Sequence, residues 1–280
     1  MKSISLGYSP CPNDTFIFYA LIHGKIDTGD LIFKENLLDV ESLNRKALNM
    51  EFDLTKVSYQ AFGHLRGKYR LLRAGGALGR GCGPLVISKN DYTMEELRGK
   101  RIAIPGKLTT AYLLLQLYDP DFSTQSSNLV VMPFHKIIDS ITNGEVDAGL
   151  IIHESRFTYP SYGLKQIIDL GEWWEKETGL PIPLGGIIAK RSLGNGLNKK
   201  INNILRQSVE YAFSNRSEPV NYIKAHSQEL SDDVINQHIN LYVNDFSVDV
   251  GSEGEKAVSI LLSRAEEAGI IPKSKQPVFI

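Results

Sequence analysis

Residues 100–118 read KRIAIPGKLTTAYLLLQLY and contain one complete strand–turn–helix unit. The apolar run over residues 100–105 predicts a short buried strand, and residues 106–108 predict a turn. Thr109 or Thr110 can cap the helix that follows, whose apolar residues continue to Leu117. A strand that leads directly into a helix is typical of α/β proteins with a mostly parallel sheet.

The same alternation continues on both sides of this unit. Further strands are predicted at residues 3–8, 31–39, 54–58, 85–88, 130–133, 148–152 and 184–189. Helices are predicted at residues 13–23, 40–49 and 136–142, and the chain becomes strongly helical after residue 197. A capping-box pattern at Thr93 and Glu96 predicts one more helix start.

The short apolar strands at residues 85–88 and 184–189 bracket a middle segment with its own βαβ pattern. We therefore expect an inserted smaller lobe, residues 89–185, and a discontinuous larger lobe, residues 1–88 plus 186–280. Two chain crossings form a hinge, and the cleft between two lobes is a preferred ligand site.

Bulk composition excludes several classes of function. The 280 residues carry a formal net charge of −1, without the basic face that nucleic-acid binding requires. No window has the roughly 18 apolar residues of a membrane span, and the N-terminus lacks a signal-peptide run, so we expect a soluble cytoplasmic protein. Cys11 and Cys82 are far apart and outside any CxxC motif, which argues against a thiolate zinc site.

Three familiar motifs are present only in part. The glycines of residues 79–83 lead into Pro84 and a strand, whereas a dinucleotide-binding loop opens a helix. Gly106-Lys107 lacks the other residues of a P-loop, and His153-Glu154 lacks the second histidine of a zinc-protease helix. We therefore predict neither a metal nor a cofactor.

Three polar loops follow predicted strands, where ligands bind in parallel α/β folds. In residues 9–15, Asn13 and Asp14 either cap the next helix or form a stiff polar rim of the cleft. At residues 106–111, two threonine hydroxyls and free N–H groups meet at a helix N-terminus and predict a site for a carboxylate. His153 ends an apolar strand and is a candidate general base.

The remaining aromatic and histidine residues are weaker candidates. His64 is held as a minor cleft candidate, and His226 and His238 are predicted to lie on the surface of helices. Of Trp173 and Trp174, one is expected in a core and the other over an aromatic ligand.

These motifs together resemble one family almost end to end. The matching segments are SPCPNDTF (9–16), KVSY (56–59), the glycine-rich run 75–84, IPGKLTTA (104–111), DAGLIIHE (147–154), DLGEWW (169–174) and PIPLGG (181–186). The chain resembles the 1,4-dihydroxy-6-naphthoate synthases of the futalosine route to menaquinone. So many segments in order are more specific than any one of them.

The resemblance implies a two-lobed periplasmic-binding-protein-like fold of the second type, without a transport role. It implies cyclic dehypoxanthine futalosine, an aromatic carboxylate, as substrate, and release of a three-carbon sugar fragment. It also implies that His153 is the catalytic base and that Ser58, Thr109, Thr110 and Ala111 contact the ligand. Asn13 and Asp14 are expected at the cleft with less support.

Three alternatives stay open at this point. The same fold serves solute-binding proteins that only capture a small acid, so the fold alone does not identify a function. A chorismate dehydratase of the same pathway shares the fold, but that family lacks the CPNDTF turn. A cytosolic ligand-sensing domain would normally be attached to a DNA-binding module, and no such module is visible.

Overall fold

The structure, a computed structural model, describes residues 1–124, 128–227 and 231–280. The strands are β1 Lys2–Tyr8, β2 Leu31–Leu37, β3 Leu54–Ser58, β4 Tyr69–Leu71, β5 Ala77–Gly79, β6 Leu85–Ser88, β7 Ile102–Ile104, β8 Leu129–Val131, β9 Ala148–Ile151, β10 Lys165–Asp169 and β11 Ile182–Lys190. The α-helices are α1 Pro12–Ile22, α2 Val40–Leu48, α3 Tyr59–Leu65, α4 Thr110–Tyr118, α5 Asp121–Thr124, α6 Ile137–Thr142, α7 Ser155–Thr158, α8 Leu170–Thr178, α9 Asn195–Ser214, α10 Val220–His226, α11 Asp232–Tyr242, α12 Asp245–Val248 and α13 Gly251–Glu267.

The first sheet contains six strands. Strands β2, β1, β3, β11 and β4 lie side by side, and β5 also pairs with β11. Strand β1 is parallel to both β2 and β3, with Leu6 opposite Leu54. Helix α1 follows β1 and packs against α9, where the Leu21 N–H donates to Ser208 Oγ at 3.1 Å. This arrangement confirms the predicted α/β class.

The second sheet contains five strands in the order β10, β6, β9, β7 and β8. Strand β7 is parallel to β8 and β9, whereas β6 is antiparallel to β9 and β10. The predicted boundary at residue 88 kept β6 with the larger lobe, but its strand pairing places it in the second sheet. The run from Leu85 to Ser88 is apolar and buried throughout, so only long-range pairing determines its sheet. The remaining lobe boundaries stay a prediction.

The two sheets share a continuous core. Tyr59, Val86 and Leu113 belong to one buried cluster, although they come from opposite sides of the cleft. The Tyr59 N–H donates to Thr110 Oγ1 at 2.8 Å, and that hydroxyl donates to the Leu184 carbonyl at 2.5 Å. Hydrogen bonds and apolar packing therefore hold the two sheets together around α4.

One predicted helix does not form. The Thr93 N–H donates to Glu96 Oε2 at 2.7 Å, and the Glu96 N–H donates to Thr93 Oγ1 at 3.2 Å, as a capping box requires. Only hydrogen-bonded turns follow, because Gly99 adopts a φ of +85° and breaks the helical path within one turn. None of the helices in the described residues is both long and apolar enough to cross a membrane.

Candidate active site

A cavity lies between the two sheets, where all three predicted polar loops meet. Its volume is about 80 Å³. The cavity is lined by all the principal candidates of the sequence analysis: Asn13, Asp14, Ser58, Thr109, Thr110, Ala111 and His153.

The carboxylate of Asp14 is fully engaged in this wall. It accepts hydrogen bonds from the Ser9 N–H at 3.1 Å, the Ser9 hydroxyl at 2.7 Å and Asn13 Nδ2 at 2.9 Å. Helix α1 begins after Cys11, with Pro12 at its first position and no side-chain cap. Asn13 and Asp14 are therefore not capping residues, and their side chains serve the cavity wall.

Lys56 is a cavity residue that the sequence analysis missed. Its ammonium Nζ lies 2.7 Å from Asp14 Oδ1, and the two side chains are only 8% and 2% exposed. Gly185 on the neighbouring strand leaves room for it, since a Cβ there would come within 3.2 Å of Lys56 Cε and 2.9 Å of the Val57 carbonyl. A lysine within a strand buried on both faces requires a charged partner, and this was the available signal.

The turn before α4 presents a helix N-terminus to the cavity. Thr109 is the N-cap: its hydroxyl accepts from the Tyr112 N–H at 3.2 Å and donates to the Gly106 carbonyl at 2.8 Å. The Thr110 hydroxyl is used in the contacts with Tyr59 and Leu184 described above. Both hydroxyls are thus engaged within the protein, and the N–H groups of the first turn remain the anion-attracting feature.

Ser58 and Asn44 form a second polar element of the wall. The Ser58 N–H donates to Asn44 Oδ1 at 2.9 Å, and Asn44 Nδ2 donates to Ser58 Oγ at 3.2 Å. Asn44 Nδ2 also donates to the Leu108 carbonyl at 3.3 Å, across the cleft. Ser58 is therefore oriented from α2, and the same amide links the two sides of the cavity.

His153 follows β9 and lies between two aromatic rings. Its centroid is 4.8 Å from that of Phe134 and 5.9 Å from that of His238, with the two imidazole planes only 4° apart. Its φ of +58° is unusual for a residue other than glycine. The imidazole opens to the cavity on one side, but burial lowers its pKa to about 4, so it is neutral near pH 7.

The prediction that His238 lies on the surface is wrong. The residue is 0% exposed, and its Nε2 lies 3.0 Å from Asn13 Oδ1 behind the cavity wall. The spacing of Ile235, His238, Ile239 and Tyr242 places all four on one face of α11, and this signal was overlooked. Tyr242 itself lines the cavity.

The other weaker candidates do not line the cavity. His64 is exposed on α3, and His226 is partly exposed with its Nδ1 2.8 Å from the Tyr222 carbonyl of its own helix. Trp174 is fully buried and donates to the Pro181 carbonyl at 3.1 Å, as expected for the core member of the pair. Trp173 packs edge-on against Tyr118 outside the cavity, so it does not cover a ligand there.

The glycine-rich crossover has a packing role. A Cβ at Gly83 would lie 2.3 Å from the backbone of Gly171, so this close approach excludes any side chain. Cys82, Gly83 and Pro84 consequently form part of the cavity wall. Burial raises the pKa of the Cys82 thiol to about 12, so it is not a thiolate near pH 7.

One group in the described residues has the composition of a metal site. Ligand atoms of Cys11, His153 and Glu154 lie within 4.8 Å of one another. Burial raises the pKa of the Cys11 thiol well above its usual value, with the charge of Glu154 acting in the same direction. Binding an ion there would require removal of that proton, because the thiolate is the metal ligand.

Comparisons with known proteins agree with this geometry. A family model described as menaquinone biosynthesis matches residues 4–267. A 1,4-dihydroxy-6-naphthoate synthase of Thermus thermophilus is 51% identical over 280 residues, which cover 100% of both chains. A protein of the same name from Streptomyces coelicolor is 44% identical over 271 residues, covering 96% of this chain and 95% of that protein.

A more distant structure shows the fold. The Candida albicans CA3427 gene product, described as having the generic periplasmic binding protein fold, superposes with a TM-score of 0.70 at 16% identity, covering 98% of this chain and 92% of that one. The predicted fold class and the family resemblance are both confirmed. On the match of residues 4–267 to the family model and the two near-complete matches to the synthases, the chain belongs to the menaquinone biosynthesis family.

Proposed function

We propose that this protein converts cyclic dehypoxanthine futalosine to 1,4-dihydroxy-6-naphthoate and releases a three-carbon sugar fragment, with His153 as general base. The substrate class comes from the family, since two full-length relatives are named 1,4-dihydroxy-6-naphthoate synthase. The observation that carries the proposal is the single cavity lined by both His153 and the N-terminus of α4.

The three parts of the cavity suit the three parts of this substrate. The α4 N-terminus, with its positive dipole end, favours the aromatic carboxylate. The polar wall around Ser58 and Asp14 suits sugar hydroxyls. The neutral imidazole of His153 can accept a proton as the spiro ring opens, and formation of the aromatic ring makes the overall reaction favourable.

The protonation state of His153 is compatible with this role. Burial lowers its pKa to about 4, which makes it a weaker base than a free histidine but keeps it unprotonated near pH 7. Closure around α4 then excludes water from reactive intermediates. Ring opening and aromatisation need proton transfer but no change of oxidation state, so we propose no cofactor.

The decisive test is His153→Ala, assayed with purified protein and cyclic dehypoxanthine futalosine as the only additions. We expect unchanged melting temperature and ligand affinity, and turnover lowered by about 10²–10⁴. The product is followed by ultraviolet absorbance and mass. His64→Ala is the matched control, because His64 is an exposed histidine outside the cavity, and it should keep wild-type turnover.

Each alternative predicts a different outcome of this assay. Near-wild-type turnover in His153→Ala would show that another group is the base. Tight binding of the substrate by the wild-type protein without conversion would favour the solute-binding alternative. Conversion of chorismate in its place would favour the dehydratase. A cytoplasmic location is part of the proposal, and recovery of the intact chain from the periplasm would contradict it.

A further inference from the structure

His238 lies directly behind the proposed catalytic imidazole, on a helix far away in the sequence. Its ring is parallel to that of His153, with an interplanar angle of 4° and centroids 5.9 Å apart. Tyr242, four residues further along the same helix, also packs against it, with ring centroids 4.6 Å apart. His238 is 0% exposed and is not among the residues that line the cavity.

The hydrogen bonds around Asn13 define the tautomer of His238. Asn13 Nδ2 donates to the Asp14 carboxylate at 2.9 Å, and a carboxylate can only accept. Asn13 Oδ1 is therefore the atom that faces His238, and it needs a donor. Nε2, at 3.0 Å, is therefore the nitrogen that donates, and Nδ1 lies 3.8 Å from Glu154 Oε2.

His238 is also the last residue in a series of buried polar contacts that begins at the ammonium group of Lys56 in the cavity wall. This series runs from Lys56 to Asp14 at 2.7 Å, from Asp14 to Asn13 at 2.9 Å, and from Asn13 to His238 at 3.0 Å. Lys56, Asp14 and Asn13 line the cavity, whereas His238 does not line it and contacts Asn13. Movement of His238 is thus transmitted to the polar wall as well as to His153.

His153 needs such support because of its backbone. A non-glycine residue in the left-handed region is held there only when its surroundings over-determine it. The rings of Phe134 and His238 both pack against the imidazole, with centroids 4.8 Å and 5.9 Å away. Removal of the His238 ring would leave a space into which the His153 ring can turn.

We propose that His238 is a positioning residue that fixes both the ring of His153 and the Asn13–Asp14–Lys56 chain for the reaction proposed above. This inference rests on that function for its kinetic readout. It assigns to His238 neither contact with substrate nor transfer of a proton. It predicts that the ring of His238 and its Nε2–H each make a separate contribution to kcat.

Three variants separate the two contributions. His238→Phe keeps a ring of similar size but loses the donor, His238→Gln keeps a donor but loses the ring, and His238→Ala loses both. We expect kcat to fall about tenfold in each of the first two and about 100-fold in the third, with KM changed less than about threefold. His226→Phe, a helix histidine outside the cavity, is the matched control and should leave kcat unchanged.

A measurement without substrate distinguishes this inference from the proposed function. In protein labelled with ¹⁵N-histidine, the His153 ring nitrogens should give the same signals in the wild type and in His226→Phe, and shifted or multiple signals in His238→Ala, because the His153 ring is then free to turn. If the wild type does not convert the substrate, the proposed function fails, but the nitrogen shifts still test the positioning.

Three results would overturn the inference. The first is kcat within twofold of wild type in folded His238→Phe and His238→Gln. The second is unchanged His153 ring-nitrogen signals in His238→Ala, or in His238→Gln should the alanine variant not fold. A loss of activity that only follows the loss of folded protein would show a purely structural role and would count against it equally.

Discussion

The buried pair of Lys56 and Asp14 allows a sharp prediction about stability. Its atoms are 2.7 Å apart, and both side chains are almost completely shielded from water. Lys56→Met removes the charge while keeping most of the volume of the side chain. The carboxylate of Asp14 then stays behind in a buried site without its cation.

The size of the effect follows from the partners that remain. Loss of one member of a buried ion pair typically costs about 3–5 kcal/mol. Asp14 keeps three hydrogen-bond donors, two from Ser9 and one from Asn13. We therefore expect Lys56→Met to lower the free energy of unfolding by an amount at the lower end of this range, about 3 kcal/mol. For a chain of 280 residues, an unfolding entropy of about 0.6 kcal/mol/K converts this to a melting temperature about 5 °C lower.

The assay is urea and thermal unfolding at pH 7, followed by circular dichroism. The control is Lys25→Met, because Lys25 forms a 2.9 Å ion pair with Glu218 whose side chains are 39% and 36% exposed, and little or no change is expected there. Adding Asp14→Asn to Lys56→Met should recover part of the loss, since a neutral amide needs no cation. A loss below about 1 kcal/mol in Lys56→Met, or no recovery in the double variant, would refute this reasoning.

Two further predictions concern pH and helix capping. Turnover should stay level from about pH 8 to about pH 5 and then fall with a midpoint near pH 4. The reason is that His153 can accept a proton only above its pKa of about 4. A midpoint near pH 6.5 in the pH–rate profile would contradict the argument that burial lowers this pKa. The same shift leaves the folded state with fewer bound protons than the unfolded chain between about pH 4 and 6.5, so urea unfolding should show stability falling on acidification through that window. Thr109→Val removes the acceptor of the Tyr112 N–H and should cost about 1 kcal/mol by the same assay, whereas Thr142→Val, near a helix C-terminus, should cost less.

Local patterns predicted much of the fold. The strands at residues 54–58 and 85–88 have the predicted bounds, and Thr109 is the N-cap of a helix that starts at residue 110. These predictions depend on neighbours a few residues apart, such as an apolar run or a hydroxyl before a helix. The three polar loops were also found this way, because each follows a strand.

Residues that depend on distant partners were predicted less well. Lys56 was quoted only as part of a motif, although its charge is compensated by Asp14 on helix α1. His238 was placed on the surface, although its partners Asn13 and His153 come from other parts of the chain. For both residues the outcome depends on contacts that sequence spacing does not encode. The capping pair at Thr93 is a different case, because it formed its hydrogen bonds without the expected helix and Gly99 lies only six residues further on.

Sequence periodicity and turn chemistry were sufficient to predict the α/β class and the positions of the strand-end loops, and the family was indicated by the resemblance of the quoted motifs taken together. Tertiary structure alone determined that β6 joins the second sheet, that Lys56 is neutralised by Asp14, and that His238 lies behind His153. The physical reason is the separation in sequence between the residues that interact. Backbone hydrogen bonds within a turn and apolar spacing along one element are local, whereas strand pairing, charge compensation and ring stacking join residues that meet only when the chain is folded.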